Sequence, residues 1–190
     1  MGLERVERLK QEYPVAVDVR AFFLRPDIGP GGMVRPSRPG EAEPGQPVTG
    51  HLGEMAQQAG LIMRRAPKTS YTRPALEATE YAKQHGRLDA FHKLLLKAYW
   101  EDGQDLEDRA VLRAAAEAVG LDPEDLERHL NAGTYGDAVE EQMDEAQQLG
   151  ITGIPAFIVG EKYLFMGAQP YEFFKMVVER AIQEQTAQGQ

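Results

Sequence analysis

The 190-residue sequence contains no cysteine. That absence excludes a disulfide framework, a thiolate zinc site and dithiol redox chemistry carried by these residues themselves. The sequence also lacks any apolar run approaching the about 18 residues that a spanning helix needs, so no membrane partner is expected. Met1-Gly2-Leu3-Glu4 does not open a signal peptide, and the chain is read as cytoplasmic. Basic residues are in short supply, 21 Lys and Arg against 30 Asp and Glu for a net charge of −9, and nothing concentrates them on one face. A nucleic-acid partner is therefore not expected. Missing too are a Ser/His/Asp order, a P-loop, GxGxxG and GxSxG. The histidines His51, His85, His92 and His129 stand at no ligand spacing, so neither a metal nor a cofactor is expected. Glu101-Asp102 and Glu140-Glu141 read as solvated helix faces, and Trp100 as a core or subdomain contact.

What is present follows a clear order. Leu3, Val6 and Leu9, with Tyr13 one turn beyond, predict a helix that stops before Pro14. Alternation of Val15, Val17 and Val19 with Ala16, Asp18 and Arg20, closed by Ala21-Phe22-Phe23-Leu24, predicts a strand over 15–24. From Pro26 to Gly50 proline and glycine are too dense for any regular element, which predicts a long loop, most simply a mobile insertion. His51 to Ala59 predicts a short helix ended by Gly60. Helices follow from Thr72, a candidate N-cap with Pro74 in the first turn, to Leu149. Leu88, Phe91, Leu94, Leu95, Ala98 and Tyr99 form one amphipathic face. Asp105 is expected to cap the next helix, and Asp122-Pro123-Glu124-Asp125 opens another.

The stretch Gly150 to Gln169 organises the rest. Ile154-Pro155 leads into two apolar runs, Ala156 to Val159 and Tyr163 to Met166, separated by Gly160-Glu161-Lys162, which is a hairpin signature. Pro155 cannot donate to a ladder and belongs at the first position of its strand, where an X-Pro bond is a candidate for the cis form. Pro170 and an amphipathic helix follow.

Gly150-Ile151-Thr152-Gly153-Ile154-Pro155 with Gly167-Ala168-Gln169-Pro170 resembles the DsbA superfamily, especially its FrnE-like branch. Ala98-Tyr99-Trp100-Glu101-Asp102-Gly103-Gln104-Asp105-Leu106 and Ala116-Glu117-Ala118-Val119-Gly120-Leu121-Asp122 resemble stretches of that branch's helical insertion, so the resemblance covers nearly the whole chain. It implies an α/β, thioredoxin-like (DsbA-like) sheet with an inserted all-helical subdomain. The thioredoxin-like domain would comprise 1–66 and 150–190, and the subdomain 67–149. In the family a Cys-x-x-Cys precedes the first helix, and Met1 to Leu9 resembles that helix just after the motif. The first strand and active-site turn are thus expected to be missing from this chain, through a start assigned at an internal Met or a genuine loss.

The resemblance further implies that Gly153, Ile154 and Pro155 form a substrate-binding loop for an extended peptide or a thiol substrate such as glutathione. The plainer reading is that Pro155 only shapes a turn. Catalytic residues are none in this chain, since no thiolate is available. Three functions are compatible with these residues. One is a DsbA/FrnE-like thiol-disulfide oxidoreductase family member, redox-silent in this chain. Another is a non-catalytic peptide-binding or oligomerising module. The third is an enzyme like the glutathione-dependent 2-hydroxychromene-2-carboxylate isomerase, although Gly167-Ala168-Gln169 fits the FrnE-like pattern better. Strands left unpaired by the missing one are expected to be closed by a second copy, giving a homodimer, or by direct pairing with each other.

Overall fold

In the computed structural model, which describes residues 2–36 and 39–188, helix α1 spans Gly2–Glu12. Val6 and Leu9 are its buried residues, while Arg8 with Glu12 (3.1 Å) and Lys10 with Glu7 (3.4 Å) pair along its outer face. Such pairs support a short helix by a few tenths of a kcal/mol each. Pro14 ends it, and the last turn closes with Tyr13 N–H donating to Leu9 O at 2.8 Å.

Packing divides the chain into two compact units, Met1–Arg20 with Ala146–Gln190, and Ala21–Glu145. Residues 21–36 and 39–66, grouped by sequence with the chain's two ends, fall in the second unit. The strand predicted for 15–24 is not formed, because no neighbour carries a ladder to it. In the first unit Val15 turns into the apolar cluster and Val17 is 42% exposed. In the second, the Ala21 amide donates to Gln142 Oε1 (2.5 Å) and the Phe23 amide to Met143 Sδ (2.9 Å). The alternation is genuine, but side chains of a helix take the place of a partner strand.

The second unit holds α2 (Gly50–Gln58), α3 (Arg73–Gln84), α4 (Leu88–Trp100), α5 (Arg109–Ala118), α6 (Pro123–Ala132) and most of α7 (Gly136–Gln148). Tyr81, Phe91, Leu112 and Leu126 are fully buried at its centre. Asp122 caps α6 by accepting from the Glu124 amide, Pro123 occupies its first turn, and Gly133 (φ 63°) ends it in the left-handed region.

Two cap expectations are corrected. Asp108, not Asp105, caps α5, with Oδ1 accepting from Ala110 N at 2.8 Å. Asp105 instead pairs with Lys68. Thr72 precedes α3 but makes no side-chain cap bond: its backbone is already helical, and Pro74 removes one of the amides a cap would satisfy.

The Pro/Gly-rich loop does contain one regular piece. Strand β1 (Met33–Val34) pairs antiparallel with β2 (Lys68–Thr69), so the insertion is helical apart from this ribbon. Gly32 permits it: its φ is +65°, and a β-carbon there would stand 2.6 Å from Thr69 O. A two-residue ladder made by close backbone approach leaves no period to read.

In the first unit β3 (Ala156–Val159) and β4 (Tyr163–Met166) form an antiparallel hairpin, with Ala156 opposite Met166 and Val159 opposite Tyr163. Gly160 (φ 59°) and Glu161 (φ 57°) are left-handed in succession, as a tight hairpin turn requires. Helix α8 (Tyr171–Gln188) follows Pro170. Leu9, Phe174 and Val178 are the buried centre of this unit, packed by Phe157, Val159, Phe165 and Tyr171. Among the described residues no helix is long and apolar enough to cross a membrane.

Glu184 ties the hairpin to α8. Lys162, Tyr163 (Oη to Oε1, 2.5 Å) and Arg180 (Nε to Oε1, 3.2 Å) all donate to it, Lys162 most strongly, and together they pull its pKa from 4.5 down to about 2. A carboxylate with a depressed folded pKa stabilises above its unfolded pKa, and that contribution is lost as pH falls toward the folded value. Glu184→Gln is therefore expected to lower the melting temperature at neutral pH, with the gap to wild type closing between about pH 4.5 and pH 2. Thermal melts at stepped pH test it; a gap that stays constant into acid would contradict this assignment.

Candidate substrate-docking site

Gly153, Ile154 and Pro155 come together at the entrance to β3, next to the start of α1. The Ile154–Pro155 peptide bond is cis. Pro155 O accepts from Gly167 N at 2.8 Å, which joins the loop to the residue after β4. At Gly2, in the first turn of α1, a β-carbon would stand 3.1 Å from both Pro155 Cβ and Phe157 Cζ. Glycine at that position is what lets the helix terminus abut the proline loop. The first-turn amides have no intrahelical acceptors and carry the positive end of the helix dipole, so the loop sits beside a weakly electropositive terminus.

Backbone direction settles which groups are open. In an antiparallel pair, alternate residues point their N–H and C=O toward the partner. Pro155 O faces Gly167, and Val159 O accepts from Lys162 N at 3.3 Å, so residues 155, 157 and 159 face β4. Ala156 and Ile158 consequently present their backbone groups on the opposite edge, where no strand lies among the described residues. Ile154 lies in the bend before the cis bond, and its backbone N–H and C=O take no partner among the described residues. Pro155 lacks its N–H on the β4 side, and its proline nature costs the open edge nothing.

The side chains around this edge are apolar and neutral. Ile154 is 53% exposed, Ile158 47%, and their neighbours Leu164 and Met166 each 41%. Leu149 to Gly160 contains no ionisable residue. Polar contacts in the same unit join α1 and Tyr13 to α8: Arg8 stacks over the Tyr171 ring at 3.7 Å, and Tyr13 donates to Glu179, which raises the Tyr13 pKa to about 12. The site can therefore offer backbone hydrogen bonds and an apolar shelf to an extended chain.

Sequence reasoning located the loop but missed Gly2 and Phe157, which complete it. A glycine in the first turn of an otherwise strong amphipathic helix was the available signal. The histidines lie elsewhere: His85 and His129 flank Tyr81, with ring centroids 4.2 and 5.4 Å away, and burial lowers the pKa of His92 on α4.

A helix terminus against a proline loop, a hairpin and a closing helix, with a helical insertion between, define a thioredoxin-like protein of the DsbA type. The chain belongs to the DSBA-like thioredoxin domain family, which matches residues 1–179. It is similar to the "uncharacterized protein YwbO" of Bacillus subtilis (strain 168), with 28% identity over 135 residues. That match covers 69% of this chain and 64% of the relative, so the chain spans less than two thirds of that protein's length. Among solved structures it resembles the "probable DsbA oxidoreductase SCO1869" of Streptomyces coelicolor, with a TM-score of 0.77 and 25% identity, covering 96% of this chain and 84% of the other. A 2-hydroxychromene-2-carboxylate isomerase shares the fold, with a TM-score of 0.68 and 16% identity over 98% of this chain and 89% of that one.

Proposed function

We propose that residues 1–190 are the substrate-docking body of a DsbA-family thiol-disulfide oxidoreductase of the FrnE-like branch, and that this chain alone performs no thiol-disulfide exchange. The observation that carries this reading is the open backbone at Ile154, set between Pro155 and the N-terminus of α1. An extended peptide laid along that edge adds a strand, taking affinity from main-chain hydrogen bonds and selectivity from the apolar shelf of Ile154 and Ile158. Exchange itself requires a thiolate to attack a disulfide sulfur and a second thiolate to leave, and the sequence supplies none.

The expected result is no turnover above the buffer rate in insulin reduction or in oxidation of reduced ribonuclease, together with saturable binding of an unfolded, thiol-blocked polypeptide. Ile154→Asp, which sets a carboxylate on the neutral edge, should weaken that binding about tenfold or more, because a bound chain would have to desolvate the new charge and would lose the apolar contact. Activity in preparations free of contaminating oxidoreductases would overturn the redox-silent reading. Unchanged binding by the Asp variant would overturn the docking site. The isomerase-like alternative has the fold in its favour, and the Gly167-Ala168-Gln169 pattern weighs against it.

A further inference from the structure

We propose that residues 29–36, in the Pro/Gly-rich loop of the second unit, form a strap latched by charge that opens as one piece while the helices stay folded. The segment follows Ile28, whose side chain is buried, and from Gly29 to Pro36 no residue is buried. Met33 is 36% and Val34 76% exposed, so burial contributes little to holding it. What holds it is polar. Near its start the Glu107 carboxylate accepts from the Gly31 amide through both oxygens, at 2.9 and 3.0 Å, and the Lys68 ammonium donates to Gly31 O at 3.1 Å. At its end the Arg65 guanidinium donates to Arg35 O at 3.0 Å and to Pro36 O at 3.2 Å. Between the two anchors runs the two-residue ladder of β1 with β2.

The anchors are fixed by bonds that do not involve the strap. Lys68 pairs with Asp105 and lies 4.0 Å from Glu107, and the Leu106 amide donates to Ser70 Oγ at 3.1 Å, which ties the stretch around β2 to the turn before α5. Arg65 is 4% exposed, and its backbone is bonded to Gly45 (2.8 Å) and Gln46 (2.9 Å). Both anchors therefore stay in place when the strap leaves. A segment with few buried apolar contacts and exposed hydrogen bonds opens at a free energy below that of global unfolding, whereas α3 to α6 bury Tyr81, Phe91, Leu112 and Leu126. Opening uncovers the β1-facing edge of β2 and the Arg65 guanidinium. Lys68 is the pivotal group, because it alone joins Gly31 O to the two carboxylates, and hydrogen bonds to an ionised donor are the strong ones. The strap is independent of the docking site, which lies in the first unit.

The test is native-state hydrogen exchange on the full chain. In the wild type the amides of Gly31 and Gly32 are expected to be protected at least about a hundredfold less than those of Ala78 on α3 and Ala115 on α5. Lys68→Met keeps the apolar stem and removes the ammonium. It should raise opening at Gly31 and Gly32 about tenfold and leave Ala78 and Ala115 unchanged. Lys97→Met, which breaks a pair with Asp102 on α4's side of the unit, should change neither. A second variant acts on the ladder and not on the latch: Gly32→Ala sets a β-carbon 2.6 Å from Thr69 O at a φ of +65°. It should release the strap, so that thermolysin cuts before Met33 and Val34 while Ala78 and Ala115 keep their protection. Gly31 and Gly32 exchanging together with Ala78 and Ala115 in the wild type would overturn the proposal. So would opening that is unchanged in Lys68→Met, or loss of helix protection in Gly32→Ala.

Discussion

Phe174→Ala is expected to destabilise the unit built from α1, the hairpin and α8 by about 3–5 kcal/mol. Phe174 is 2% exposed, and its ring meets Phe157 at 4.7 Å and Phe165 at 5.0 Å, both edge-on. Truncation removes the buried ring and leaves a cavity under both strands. It also removes two aromatic contacts, each worth about 0.5–1.5 kcal/mol beyond area burial. Against a typical total of about 5–15 kcal/mol for a domain, this is a large fraction. The amides of Phe157 and Val159, which face β4, should lose hydrogen-exchange protection with it, because Phe174 is the buried ring that both Phe157 and Phe165 pack against. Since Phe157 also lies against Gly2, peptide binding at Ile154 should weaken in parallel. Unchanged protection at those two amides would contradict the placing of Phe174 at the centre of this unit.

Much of this arrangement was legible because it rests on local rules. The hairpin was readable to the residue: two four-residue apolar runs flank Gly160-Glu161-Lys162, and only a tight turn with left-handed backbone joins runs so close. The helices were readable because their apolar stripes recur with helical spacing and because Pro14, Gly60, Gly86 and Gly120 stop them. What failed depends on a partner that sequence does not name. Val15 to Leu24 has strand alternation, but a strand exists only against another, and here Gln142 and Met143 take the amides of Ala21 and Phe23. Asp105 and Asp108 are equally good caps by composition. Lys68, distant in sequence, engages the first and leaves the second to α5. Gly2 became meaningful only when β3 was placed beside it, since its role is the space it leaves for Pro155 and Phe157.

In the helical unit, Tyr81→Ala is expected to cost about 3–5 kcal/mol, and Tyr81→Phe only about 1 kcal/mol. The ring is 1% exposed and packs against His85 (4.2 Å), His129 (5.4 Å) and Tyr135 (6.2 Å), so its removal opens a cavity where α3 and α6 meet. The hydroxyl donates to Asp125 Oδ2 at 2.9 Å and is the main reason the Asp125 pKa lies below its usual 3.8, with Arg128 a lesser cause. Burial and that same bond push Tyr81 itself up to about 12, so it remains a donor throughout the physiological range. Asp125 thus adds stability above its unfolded pKa that disappears as acid protonates it. Tyr81→Phe removes the principal donor, so its penalty should be full at neutral pH and shrink below about pH 4, whereas the Tyr81→Ala penalty, being a cavity, should persist. Trp100 is the only tryptophan and belongs to this unit, so its fluorescence during urea unfolding reports both variants. Equal penalties for the two variants, or a Phe penalty independent of pH, would show that the hydroxyl does not act through Asp125.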